Sequence, residues 1–295
     1  MFKGTFSVTV TPFSDDLKSV NVDALKQHTE WQVQQGIHGL IPLGSTGEFL
    51  SMTDEERLIV LDTVVNTVAG RVPVLAGTGA EDTREAVRLI KQAEDMGADG
   101  AMIIPPYYSS PTADELYQHY KTISDASSLP IMIYNNPATA NVDLTPDIVA
   151  RLSEIDSVSY IKESTMDVTR IRDIIELCGD RMSVFGGIMG YESFLEGAVG
   201  WVSVASNFLP GPTAKMFEMI DQNQDYLSAR EIYLKYLPLI RFVGGHNYVS
   251  GSKHLLSLMG CDCGIPRAPR LPMAPELAAL AEEMVQEFGL ADSIR

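Results

Sequence analysis

Val158-Ser-Tyr-Ile-Lys162-Glu-Ser-Thr165 reads as a short buried strand that ends on a lysine. An ammonium group is a poor occupant of a strand interior, because burying it without a partner is costly. Taken alone, the stretch fits a strand-end lysine whose stem is covered and whose charge reaches water. It also fits a lysine whose pKa desolvation has lowered, leaving a neutral amine able to attack a carbonyl. The pattern on either side decides between them.

Seven more apolar runs flank this one. They are Phe6–Thr11, Gly39–Leu43, Val72–Ala76, Gly100–Ile104, Pro130–Tyr134, Met182–Phe185 and Trp201–Ala205. Amphipathic segments alternate with them, at Val22–Gln35, Thr53–Val68, Thr83–Met96, Ala113–Ala126, Pro146–Ser153, Val168–Leu177, Tyr191–Glu196 and Pro212–Asp221. Asn21 is placed to cap the first helix, and Thr53-Asp-Glu-Glu56 is a capping box for the second. Strand–helix alternation at this spacing predicts parallel βαβ units. Eight such units predict an α/β protein, a (β/α)8 TIM barrel. An open doubly wound sheet would carry a glycine-rich nucleotide loop after its first strand, and none follows Phe6–Thr11. Residues 225–295 have no strand pattern. Their helical segments, Ala229–Phe242, Ser250–Met259 and Pro275–Phe288, predict a C-terminal helical extension packed on a barrel of residues 1–224.

The 295-residue chain is 45% hydrophobic and 21% charged, the balance of a soluble globular protein. No apolar run approaches the ~20 residues of a membrane span. The N-terminus lacks the features of a secretory signal, so a cytoplasmic location is expected. With 22 basic and 39 acidic residues, the net charge of -17 disfavours nucleic acid. Three cysteines, two of them at 261 and 263, are too few for a structural zinc site.

Barrels of this kind place their chemistry at the C-terminal ends of strands. Those positions hold Thr11, Gly44-Ser-Thr-Gly-Glu48, Gly77-Thr-Gly79, Pro105-Pro-Tyr-Tyr108, Tyr134-Asn-Asn-Pro137, Lys162, Gly186-Gly187 and Ser203. The five histidines fall on helices or before strands, so a histidine base or a metal set is not expected. What remains is amine chemistry at Lys162. The loop at 44–48 is either a tight turn feeding a helix or a carboxylate cradle of backbone N–H groups and two hydroxyls. Tyr134 is either a core aromatic or a proton shuttle partnered by Thr46.

Together, Gly44-Ser-Thr-Gly-Glu48, Pro106-Tyr-Tyr108, Tyr134-Asn-x-Pro137, Tyr160-Ile-Lys162-Glu-Ser and the tail segment Lys253-His-Leu-Leu resemble the dihydrodipicolinate synthase / N-acetylneuraminate lyase family of pyruvate-dependent class I aldolases. The resemblance covers essentially the whole chain. It implies that Lys162 forms a Schiff base with the keto carbon of pyruvate or a 2-keto acid, and that Tyr134 is the general acid/base. It implies that Ser45 and Thr46 grip the substrate carboxylate, with Thr46 also bonded to Tyr134. Tyr108 matches a tyrosine donated into a neighbouring subunit's proton relay, and Gly187 and Val202 match positions lining the pyruvate pocket. No metal or organic cofactor is implied beyond the covalent imine, and the assembly implied is a homotetramer, a dimer of dimers.

Two departures concern the other half of the substrate. The synthase branch carries an arginine shortly after Tyr-Asn-x-Pro to hold the carboxylate of aspartate semialdehyde. Here that place reads Ala138-Thr139-Ala140-Asn141, and no arginine occurs from Leu89 to Ala150. Threonine cannot reproduce the planar bidentate fork of a guanidinium. In the sialic-acid branch acidic residues follow strand seven, whereas Gly187-Ile-Met-Gly190 is apolar and Glu192 is the nearest acid. The expectation is a Schiff-base lyase, aldolase or dehydratase, acting on pyruvate or a 2-keto acid. Dihydrodipicolinate synthase activity and a non-catalytic keto-acid-binding barrel are the alternatives.

Overall fold

The computed structural model describes residues 1–294. Eight strands form one sheet in the order β2-β1-β8-β7-β6-β5-β4-β3, where β1 is Gly4–Val8, β2 Gly39–Ile41, β3 Leu75–Gly77, β4 Gly100–Ile103, β5 Ile131–Asn135, β6 Val158–Glu163, β7 Ser183–Gly186 and β8 Gly200–Ser203. The paired strands run parallel. Helices alternate with them: α1 Val22–Gln34, α2 Asp54–Val68, α3 Thr83–Asp95, α4 Ala113–Ser124, α5 Pro146–Leu152, α6 Thr169–Cys178, α7 Gly190–Leu195 and α8 Pro210–Asn223. This is the (β/α)8 TIM barrel that the alternation predicted. Three more helices follow, α9 Tyr226–Phe242, α10 Tyr248–Leu258 and α11 Pro275–Glu287. The chain divides into two compact units, Met1–Gly4 with Pro73–Ser203, and Thr5–Val72 with Val204–Arg295.

Local signals place these elements where the sequence put them. Asn21 accepts the Ala24 N–H at 3.1 Å, and both halves of the Thr53/Glu56 capping box form. The first strand is shorter than the apolar run Phe6–Thr11. Beyond Val8 the side-chain amide of Asn207 replaces a ladder partner, donating to Val8 O at 2.8 Å and accepting from Val10 N–H at 3.0 Å. A run of apolar residues carries no sign of such a side-chain substitute, so the strand end was not legible.

Packing inside the strands follows a large-against-none rule. Phe6 is in register with Gly39, and Phe185 with Gly200. A Cβ on Gly39 would lie 2.1 Å from the Phe6 ring, and one on Gly200 2.2 Å from the Phe185 ring. Each buried aromatic therefore occupies space that its partner strand leaves open.

Candidate active site

Strand pairing gathers the expected residues of β5, β6 and β7. Register sets Tyr134 beside Lys162 and Lys162 beside Phe185, so β5, β6 and β7 present these three side chains on one face. Tyr160 shares that face two residues earlier on β6, and its ring meets Phe185 edge-on. Lys162 is 6% exposed, and its Nζ lies 4.0 Å from the centroid of the Tyr134 ring. Burial pushes its pKa down from 10.5 to about 7. With no neighbouring carboxylate contributing, the desolvated amine is a nucleophile at neutral pH rather than half of an ion pair. Tyr134 is buried, and its hydroxyl oxygen accepts a hydrogen bond from Asn136 Nδ2 at 2.7 Å.

The opposite face of β5 and β6 carries a polar network that the motifs did not reveal. Asn135 is in register with Glu163, one residue past the Tyr134/Lys162 pair. Asn135 Nδ2 donates to Glu163 Oε2 at 2.9 Å, and Thr165 N–H donates to Glu163 Oε1 at 2.8 Å. Arg170 on α6 grips Asp143 with both terminal nitrogens, at 3.0 and 2.8 Å, and its Nε lies 3.8 Å from Glu163 Oε2. The guanidinium beside Asp143 holds that carboxyl below its usual range. Period-two alternation could have found part of this: polar residues directly after both Tyr134 and Lys162 must share the other face. Arg170→Met removes the cation from two carboxylates and is expected to lose about 2–4 kcal/mol of stability. An unchanged urea midpoint with an unchanged slope would show that the network contributes nothing.

The remaining expected positions in this unit are placed as follows. Gly187 donates its N–H to Glu163 O at 2.7 Å, and a Cβ there would sit 1.7 Å from Ser164 Oγ and 2.9 Å from Glu163 O. Only glycine fits this approach of β7 to the end of β6. Val202 is fully buried on β8. Tyr108 is 84% exposed. Its loop is braced nevertheless: Glu81 accepts the N–H groups of Tyr108 and Ser109 at 2.9 and 3.0 Å, and Asn141 Nδ2 donates to Tyr108 O at 2.8 Å. Thr139 is exposed, and its hydroxyl donates back to Asn136 O at 3.3 Å.

Ser45 and Thr46 belong to the other unit, in the turn after β2. Thr46 is buried and Ser45 half-buried. The turn is closed by Glu48 N–H donating to Ser45 O at 3.1 Å, and Thr11 Oγ1 donates to Gly47 O at 2.9 Å. A Cβ on Gly47 would sit 2.9 Å from Thr9 O, so the close approach to β1 requires glycine. Glu48 ends the turn in the left-handed region at φ 60°. Its carboxylate Oε1 lies 2.7 Å from Lys253 Nζ on α10, and both side chains are fully buried. Glu48 and Lys253 each fall in a motif quoted above, but no spacing rule pairs residues 205 positions apart. Cys261 and Cys263 are free and buried, with sulfurs 3.7 Å apart. Among the described residues no three His, Cys, Asp or Glu side chains gather as a metal-holding group.

A (β/α)8 barrel with a buried, nearly neutral amine at the end of its sixth strand defines an amine-nucleophile enzyme class. The comparisons agree. A dihydrodipicolinate synthetase family profile matches residues 1–288. A relative from Syntrophobacter fumaroxidans, a 4-hydroxy-tetrahydrodipicolinate synthase, is 36% identical over 98% of this chain and 100% of its own. Another of that name, from Methanothrix thermoacetophila, is 36% identical over 98% of each chain. Among solved structures, a chloride-inhibited dihydrodipicolinate synthase from Acinetobacter baumannii, complexed with pyruvate, superposes with a TM-score of 0.94 at 32% identity, covering 98% of this chain and all of that one. The chain belongs to the dihydrodipicolinate synthetase family. It is an enzyme, a pyruvate-dependent class I lyase of that family.

Proposed function

We propose that Lys162 is the residue through which this enzyme forms a Schiff base with pyruvate or a 2-keto acid. The observation that carries the reading is the buried amine at the end of β6, with a pKa lowered to about 7 and Nζ 4.0 Å from the Tyr134 ring. Nζ adds to the C2 carbonyl, and the carbinolamine loses water to give an iminium. In cleavage of a 4-hydroxy acid, Tyr134 takes the hydroxyl proton from C4. The C3–C4 electron pair then flows into the iminium, leaving an enamine and releasing an aldehyde. Protonation at C3 and hydrolysis return the amine and release pyruvate. In dehydration, C3 instead loses a proton and the 4-hydroxyl leaves as water. Ser45 and Thr46 hold the carboxylate, and Gly187 and Val202 line the keto-acid pocket. The imine needs no further cofactor.

Borohydride reduction in the presence of pyruvate tests this. The peptide containing Lys162 should gain the mass of a reduced pyruvyl imine, and modification elsewhere or nowhere overturns the assignment. The names of the relatives favour a second reading, condensation of pyruvate with aspartate semialdehyde. Against it, the segment after β5 offers Ala138 and an exposed Thr139 where that substrate's carboxylate needs a guanidinium. Turnover of that pair well above a Lys162→Ala control would establish the second reading.

A homotetramer and a cytoplasmic setting complete the proposal. The exposed Tyr108 ring on its braced loop supports the first, because it is presented for insertion into another copy. No described helix is long and apolar enough to cross a membrane.

A further inference from the structure

The loop after β5 is closed by side chains that the reaction as described does not use. Asn135 is fully buried and reaches nine positions along the chain, where its Oδ1 accepts the N–H of Leu144 at 2.9 Å. The Leu144 carbonyl is held by Arg170 on α6, which donates to it at 2.8 Å while gripping Asp143. Both backbone groups of Leu144 are thus bonded to side chains, one from β5 and one from α6. The other end of the loop bears on Tyr134. Asn136 Nδ2 donates to the Tyr134 hydroxyl oxygen at 2.7 Å, and Asn136 O accepts the N–H groups of Thr139 and Ala140, both at 3.0 Å. The closing residues also stand one step from the chemistry. Asn135 follows Tyr134 on β5, and Glu163, to which Asn135 donates at 2.9 Å, follows Lys162 on β6. A shift in the closure is passed to Tyr134 by two routes, through its own strand and through Asn136.

Resting on the Schiff-base reading above, we propose that Asn135 and Asp143 are positioning residues: with Arg170 they latch the loop 136–144 and so hold the Tyr134 hydroxyl where it moves protons at C3 of the bound imine. Tyr134 first gives its proton to the hydroxyl that leaves the carbinolamine as water. Its oxygen then takes a proton from C3. The C3–H electron pair forms the C2=C3 bond of the enamine, and the C2=N pair returns to nitrogen. The reverse step delivers a proton of solvent origin to C3. Misplacing reacting groups by about 1 Å costs on the order of 10²-fold in rate, so a modest slackening of the loop is visible in turnover.

The test uses pyruvate alone and so needs no second substrate. Exchange of its methyl protons in D2O, followed by proton NMR, reads proton transfer at C3. Borohydride trapping at saturating pyruvate reads the imine at Lys162. Asp143 is exposed, so Asp143→Ala cuts the latch from the solvent side. It should lower the saturated exchange rate about tenfold or more, with trapping at Lys162 and KM for pyruvate within about twofold of the parent. Asp143→Asn keeps an oxygen for Arg170 and should restore exchange to within about threefold of the parent. Asn135→Leu should lose at least as much exchange as Asp143→Ala, and if it does not fold the two Asp143 variants decide the matter. Parental exchange per folded molecule in Asp143→Ala, even with a lower melting temperature, makes the latch purely structural and overturns the inference. So does an equal loss in Asp143→Asn, a fall in trapping that keeps step with the fall in exchange, or parental exchange no faster than that of Lys162→Ala while Lys162 still traps pyruvate. Failure of trapping in the parent brings down the Schiff-base reading and this inference with it, and is told apart by the unmodified Lys162 peptide.

Discussion

Lys162→Met is expected to abolish turnover and raise the melting temperature together. Removing a covalent nucleophile lowers kcat by on the order of 10⁴-fold or more. The stability gain comes from the burial that makes the amine reactive. Depression of the pKa from 10.5 to about 7, at about 1.4 kcal/mol per pKa unit, places an upper bound of about 4–5 kcal/mol on the cost at neutral pH. Methionine fills similar space without a charge to desolvate, so a gain of about 2–3 kcal/mol is expected. The sign follows from linkage. Between pH 10.5 and about 7 the unfolded chain binds a proton at this lysine that the folded chain does not. Stability of the unmodified protein therefore rises with pH across that window, and the full cost is present below it. The gap in melting temperature between variant and parent should be largest near pH 6 and shrink towards pH 10. The rate of imine formation should rise with pH through about 7, as the amine loses its proton. A variant that keeps more than about one part in a hundred of the parental rate removes Lys162 from the chemistry. A melting-temperature gap independent of pH removes the desolvation account.

How much of this was readable in the chain depends on the sequence distance of the partners. The barrel was readable because each βα unit announces itself within about thirty residues, by apolar runs and capping residues. Lys162 and Tyr134 were readable because each ends a strand, and strand ends are where barrels expose chemistry. Asn207 was not readable as the terminator of β1, because its amide bonds backbone groups far earlier in the chain. Asn136 was visible only as the variable letter of Tyr-Asn-x-Pro. Its hydrogen bond to Tyr134 depends on how the chain turns after β5, which no spacing rule fixes. Glu163 and Arg170 look like ordinary surface charges until strand and helix are packed. Glu48 and Lys253 lie in motifs that were visible, but their pairing was not, and there the physical consequence is largest.

Lys253→Met is expected to cost about 3–5 kcal/mol, although it replaces one buried side chain with another of like size. Lys253 Nζ sits 2.7 Å from Glu48 Oε1, donates to Ile265 O at 3.2 Å and lies 4.3 Å from the centroid of the Phe13 ring. Burial pulls the lysine below its ordinary pKa, with Glu48 acting in the opposite sense. Without the ammonium, Glu48 is a fully buried carboxylate whose other oxygen accepts only the Arg267 N–H, at 2.9 Å. The backbone at Glu48 adds to the strain, since a left-handed residue with a Cβ costs about 1–2 kcal/mol and persists only when its surroundings hold it. Adding Glu48→Gln neutralises the orphaned charge and should recover half or more of the loss, so a double-mutant cycle gives a coupling of at least about 2 kcal/mol. The consequence for catalysis runs through the turn. Glu48 N–H holds Ser45 O at 3.1 Å, so releasing Glu48 loosens the residues proposed to grip the keto-acid carboxylate. KM for pyruvate should rise several-fold while kcat at saturation changes little, because Lys162 and Tyr134 stand on β6 and β5 and keep their register. A single variant as stable as the parent, or additive losses in the cycle, would show that the ion pair does not hold the turn. A fall in kcat without a change in KM would place its influence on the amine instead of the carboxylate grip.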